Sequence, residues 1–224
     1  ELLVLALRAC RRVVVCASGG VNLDRFMRAL VGEIPDSLRV ACISDSGRLG
    51  ITRKGWVQVR RLTEATDGIE LQHVLNVLLR GGLDLVVSQQ CGHSDAAAVI
   101  DALAGASRGV VVSLWGINTA HALSRLAALG TASGGAVQGL ALSLAHAVDL
   151  VVRLNSGVSL ESMQVIEIVE PNTRADGTIE YRPLFQAVRR DDGSTAFCSQ
   201  PNASDFLRRL ADQGVEVPQR LLSL

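Results

Sequence analysis

The chain has 224 residues, 48% of them hydrophobic and 20% charged, with 22 Lys+Arg against 22 Asp+Glu and hence zero formal net charge. That length suits one large globular domain, and the charge balance excludes bulk attraction to nucleic acid or acidic lipid. Aromatic residues make up 3% of the chain, too few for a base-stacking platform.

Short apolar runs alternate with helical periods. Strands are predicted at Val13–Cys16, Val40–Ser44, Val57–Leu62, Leu83–Ser88, Val110–Leu114 and Leu150–Leu154. Helices are predicted at Leu23–Val31, Leu71–Arg80, Ser94–Ala104, Thr119–Leu129 and Ala136–Ala147. This alternation means βαβ units and a mainly parallel sheet. The texture changes after Asn155. Met163–Glu170, Ile179–Tyr181 and Leu184–Val188 read as further strands, with turn clusters at Pro171–Gly177 and Asp191–Gly193 and a last helix at Ala203–Gln213. The expected organisation is a core over residues 1–155 and an antiparallel hairpin-and-helix appendage of the same domain over 156–224. The chain lacks an initiator methionine and opens within a helix-like run, which points to a fragment of a longer protein.

Cys10, Cys16, Cys42, Cys91 and Cys198 show no zinc-like spacing; Cys16 and Cys42 fall inside predicted core strands and read as buried small hydrophobes, and the odd count points to a reducing compartment. No metal site is expected.

The first strand runs into Ser18-Gly19-Gly20-Val21-Asn22, and a helix follows. That is the layout of a phosphate-binding P-loop. A working loop ends in Gly-Lys-Ser/Thr, whose lysine reaches the phosphates and whose hydroxyl holds Mg²⁺. The corresponding positions here are Asn22, Leu23 and Asp24. Leu23 has no charge, and Asp24 puts a negative charge where phosphate belongs.

The order of segments resembles the C-terminal RecA-like domain of the type II/type IV secretion ATPases, most closely the motors of tight-adherence (Tad/Flp) pili. Arg11–Leu30 corresponds to the strand, P-loop and helix, Ile34–Asp45 to the stretch entering the acidic box, and Leu71–Ser88 to the helix and strand of Walker B. Trp115–Leu126 aligns without gaps to a segment reading His-Ala-Asn-Ser-Pro-Arg-Asp-Ala-Leu-Ser-Arg-Leu. Ala147–Leu154, Ile166–Glu170 and Pro183–Phe185 match later segments. The resemblance implies an α/β fold: a RecA-like P-loop NTPase core with a mainly parallel sheet flanked by helices, plus C-terminal antiparallel hairpins.

The departures from the family fall on its chemistry. The glutamate of the acidic box is Ser44, while its aspartate remains as Asp45; the Walker B Gly-Glu pair is Ser88-Gln89. The His box falls near Gly105–Val110 without a histidine, and the later sensor-like histidine is Trp115. Ser18, Gly19, Gly20, Asn22, Leu23, Asp24, Ser44, Asp45, Gln89 and Trp115 thus form a degenerate nucleotide site with no catalytic residue. Gln89 can orient water but cannot take its proton. Leu23→Lys with Asp24→Thr is expected to return weak Mg-ATP binding without turnover.

The resemblance implies a catalytically inactive paralogue without a cofactor, acting as a scaffold or regulatory subunit. It would be cytoplasmic, with a peripheral position at the inner membrane as an extension. Its partners would be homologous ATPase subunits, in a homo- or hetero-oligomeric ring, and membrane platform proteins of the machine. In the family, arginines after the acidic box reach a neighbour's nucleotide, which assigns Arg53, Lys54, Arg60 and Arg61 to a trans interface. By charge alone the same cluster reads as a solvated basic edge. Two alternatives stay open. One is a weak ATP- and Mg-binding motor with a displaced site, in which Arg25 replaces the lysine. The other is a P-loop-like regulator outside secretion.

Overall fold

The computed structural model describes residues 1–44, 53–60, 71–105, 109–131, 137–156, 163–190, 195–199 and 204–222. Its centre is β1 (Arg12–Ala17), an apolar run with no alternation because both its faces and both its edges are covered. β5 (Gly109–Trp115) and β6 (Leu150–Ser156) flank it in parallel, with Val14 opposite Val112 on one side and Val151 on the other. With β2 (Val40–Ser44), β3 (Val57–Arg60) and β4 (Leu85–Ser88), the parallel part runs β3-β2-β4-β5-β1-β6.

Successive side chains of β1 serve opposite layers. Val13, Val15 and Ala17 join a core built with α1 (Leu2–Arg8), α2 (Leu23–Gly32), α7 (Asp205–Asp212) and α8 (Gln219–Leu222). Val14 and Cys16 join a second core under α4 (His93–Ala104), α5 (Thr119–Gly130) and α6 (Val137–Ala147). A smaller cluster around Ile43 and Val86 takes in Ala98 of α4 and, at its margin, Leu78 of α3 (Leu71–Arg80). Helices therefore cover both faces of the sheet. Burying each large aliphatic side chain contributes about 1.5–3 kcal/mol. The sheet and first helix layer pack closely at Gly109, where an added Cβ would lie 2.7 Å from the carbonyl carbon of Cys10.

The core helices and parallel strands fall where the periodicity puts them, within about two residues at each end. The C-terminal part differs in detail. β7 (Met163–Thr173), β8 (Ile179–Arg189) and β9 (Thr195–Ser199) are antiparallel and extend the same sheet past β6 to nine strands among the described residues. The turn expected at Pro171–Gly177 shrinks to the residues after Thr173, because Pro171 pairs with Tyr181 inside the β7–β8 ladder. β6 pairing ends at Val169, so Pro171 has no strand on its other edge to need its missing N–H. Pro183 likewise does not split β8 into two strands. It stands opposite Val169 at a register shift, where a bulge absorbs it. The turn expected at Asp191–Gly193 lies outside the described residues. β9, which buries none of its residues, and α8, a single turn, are not among the elements predicted from the sequence.

α7 is capped by Ser204, whose Oγ accepts from the Leu207 N–H at 3.1 Å. The same hydroxyl donates to the buried carboxylate of Glu170 at 3.2 Å, and Arg209 lies 3.5 Å from that carboxylate. Burial pushes the Glu170 carboxyl up from 4.5, outweighing the lowering by Arg209, the Ser204 hydroxyl and the Phe206 N–H. Between pH 4.5 and its folded value the folded chain holds a proton that the unfolded chain releases, so stability falls as pH rises through that window. Glu170→Gln cannot ionise and should flatten that fall. Urea midpoints of the two proteins should diverge in the variant's favour above pH 4.5; parallel curves would show that Arg209 cancels the burial cost.

Candidate functional site

The P-loop-like turn sits at the carboxyl end of β1. Gly20 has φ +87°, a conformation that favours glycine. Two amides at the loop's junction with α2 are engaged within the chain. The Leu23 N–H donates to the Val21 carbonyl at 2.9 Å, and the Arg25 N–H donates to Asn22 Oδ1 at 3.0 Å. The Leu23 side chain is 1% exposed and belongs to the core beneath α2. Ser18 Oγ donates sideways to Asn155 Oδ1 at 3.5 Å, beyond β6's pairing with β1.

Asp24, one residue on, is half-buried, and its Oδ1 accepts from Gln90 Nε2 at 2.6 Å. Gln90 follows the end of β4 and holds φ +51°. Its N–H donates to Ser113 Oγ at 2.9 Å, and the next N–H, of Cys91, donates to the Ser113 carbonyl at 2.7 Å. Gln89 is buried, and its N–H continues the β4–β2 ladder to the Ile43 carbonyl at 2.9 Å. Ser88 Oγ donates to Asp95 Oδ2 at 2.6 Å, and Asp95 Oδ1 accepts from the Gly92 N–H at 2.8 Å, which ties the start of α4 to the strand end. Ser44 is buried at the end of β2; Asp45 lies outside the described residues. Trp115 pairs with Ala17 in the β1–β5 register and packs, partly buried, on the α2-side core.

No protein-family model matches the chain, and no curated protein matches it. Solved structures do. The VirB11 ATPase of the Brucella suis type IV secretion system, in complex with sulphate, superposes with a TM-score of 0.63 at 21% identity, over 74% of this chain and 50% of that one. The pilus retraction motor PilT with bound ADP gives 0.52 at 13% identity, over 98% and 63%. The Legionella pneumophila ATPase DotB gives 0.50 at 14% identity, over 99% and 52%. The chain has the RecA-like fold of the secretion ATPases. It spans 50–63% of the length of these solved chains.

On this RecA-like frame the described members of the expected site lie at the carboxyl ends of β1, β2, β4 and β5, and their chemistry does not match the lysine and hydroxyl that hold a Mg-nucleotide in a P-loop. The lysine position is a buried leucine, the hydroxyl position is a hydrogen-bonded carboxylate, and the strand-end pair Ser88-Gln89 offers no carboxylate. The burial of Leu23 weighs against the expectation that Leu23→Lys restores binding, because a lysine there starts from a core position and not from the cleft wall. Among the described residues no His, Cys, Asp or Glu cluster could hold a metal ion. Cys16 and Cys42 are buried, and burial pushes both thiols up to about 12.

Arg53 is held within its own chain. Its Nη2 donates to the Gly32 carbonyl at 2.6 Å and its Nη1 to the Ile34 carbonyl; it pairs with Asp36 at 3.0 Å, and its guanidinium lies 5.1 Å from the Trp56 ring centroid. It thereby ties the segment after α2 to the approach to β3. Lys54 is exposed; Arg61 and the Arg60 side chain lie outside the described residues. Sequence reasoning missed Gln90, Asp95 and Ser113. The Gln-Gln pair ending a buried strand and an acid three residues after Gly92 were the available signals. No helix among the described residues is long and apolar enough to cross a membrane.

Proposed function

We propose that the chain is a catalytically inactive paralogue of a secretion or pilus-assembly ATPase. It acts as a scaffold or regulatory subunit in a machine of the tight-adherence, type II or type IV kind. The observation that carries this reading is the burial of Leu23, which makes the P-loop position of the phosphate-binding lysine part of the core. Phosphoryl transfer depends almost wholly on positioning and charge. At the lysine, hydroxyl, acidic-box glutamate and Walker B glutamate positions this chain carries Leu23, Asp24, Ser44 and Gln89. What remains useful is a RecA-like shape with surfaces for homologous ATPase subunits and for the platform proteins of the machine at the cytoplasmic face of the inner membrane. Of the proposed trans cluster, Lys54 is exposed and open to a neighbour, whereas Arg53 is engaged in its own chain; Arg60 and Arg61 join it on the sequence alone.

Isothermal titration with Mg-ATP to millimolar concentration should release no heat, and phosphate release should stay at the buffer rate. Micromolar affinity, or turnover that survives purification controls and is lost in Arg25→Ala, would favour the weak motor with a displaced site instead.

A further inference from the structure

In a working P-loop NTPase the loop hydroxyl and the Walker B carboxylate meet only through Mg²⁺, and the link lasts only while nucleotide is bound. Here the hydroxyl position and the loop after β4 meet directly. We infer that Asp24 and Gln90 form a built-in clasp that replaces the nucleotide-borne link between α2 and the β4–α4 loop and holds the cleft in one ligand-independent arrangement. This rests on the inactive reading above and adds to it a fixed shape.

The bond itself is short, 2.6 Å, and its acceptor is a carboxylate, the class of hydrogen bond that is strongest. Asp24 lies in the first turn of α2, where the helix dipole favours negative charge. Both ends sit on rigid mounts. On one side Leu23 is sunk in the core and Asn22 caps the helix. On the other, Gln90 takes a left-handed backbone that is sparse for a residue other than glycine, and Ser113 of β5 fixes it through the N–H groups of Gln90 and Cys91. β5 lies between β1 and β4, so the clasp bridges across one intervening strand. The polarity is the reverse of a nucleotide site: the helix side carries the negative charge and the strand side supplies the donor. Phosphate is repelled, and nothing in the link can be hydrolysed or released. A subunit built this way presents the same surfaces whatever the nucleotide concentration.

Hydrogen–deuterium exchange on the full chain tests this with Asp24→Ala, Gln90→Asn and the double variant. Asparagine tolerates the left-handed backbone but is one methylene too short to reach Asp24. Each single change should speed exchange about tenfold in residues 18–26 and 88–93, and the double should be no faster than either single. Mg-ATP should leave the unmodified protein's rates unchanged. Unaltered rates in Gln90→Asn, or effects that multiply in the double variant, would overturn the clasp and leave Asp24 as a residue acting on the helix dipole alone. Those outcomes leave the inactive reading standing. Protection of the same segments by Mg-ATP would instead remove both.

Discussion

Leu23→Lys is expected to lower the unfolding free energy by about 3 kcal/mol and to gain no affinity for Mg-ATP. Leu23 is 1% exposed and packs in the same core as Met27, Leu30 and Val31 of α2. A lysine there loses the leucine's packing and must either bury its ammonium or bend its stem outward past the loop. Adding Asp24→Thr removes the partner of Gln90 and does not move position 23 out of the core. The reversion written from the motif is therefore expected to fail at position 23, before Ser44 and Gln89 are considered. Urea unfolding and a Mg-ATP titration on the same sample check it. A stability change within about 0.5 kcal/mol together with micromolar binding would show that position 23 still opens to the cleft.

Phe206→Ala should cost about 4 kcal/mol, within the range for emptying a buried aromatic site. Phe206 is 1% exposed and heads the largest fully buried side chains; with Leu207 and Leu210 it seats α7 on the core shared with β1 and α2. The C-terminal helix is thus part of the same cooperative unit as the P-loop strand. Denaturant unfolding should stay a single transition with its midpoint lowered. A loss below 1 kcal/mol, or a separate early transition confined to the C-terminal residues, would mark α7 as a detachable cover.

The parts of the fold that were legible in the sequence are those set by local pattern. Val13, Val14 and Val15 form an apolar run that only a doubly covered strand explains, and the spacing from Leu23 to Leu30 announces α2. Pro183 does not break β8 because Leu184 beside it is the extra residue of a bulge where the β7–β8 register shifts, and the sequence around the proline does not announce that bulge. At the site, the missing lysine, hydroxyl and glutamate could be read directly from the motif. Where Leu23 points could not, because helical spacing does not say which layer a face meets. The Asp24–Gln90 contact was equally hidden, since it joins residues 66 apart whose meeting depends on β5 being threaded between their strands.

The shared layer made by α1, α2, α7 and α8 also governs how the protein emerges from the ribosome. Arg220 of α8 pairs with Glu1, and Arg11 donates to Gln213, so the two extremes of the described chain meet on one side of the sheet. Until residues 205–222 have been synthesised, the apolar surface formed by Val13, Val15 and Met27 lacks part of its cover. A nascent chain extended only as far as residue 204 therefore exposes part of this apolar face. Truncation before residue 205 should promote aggregation, with holdase chaperones retained on chains that lack α7 and α8.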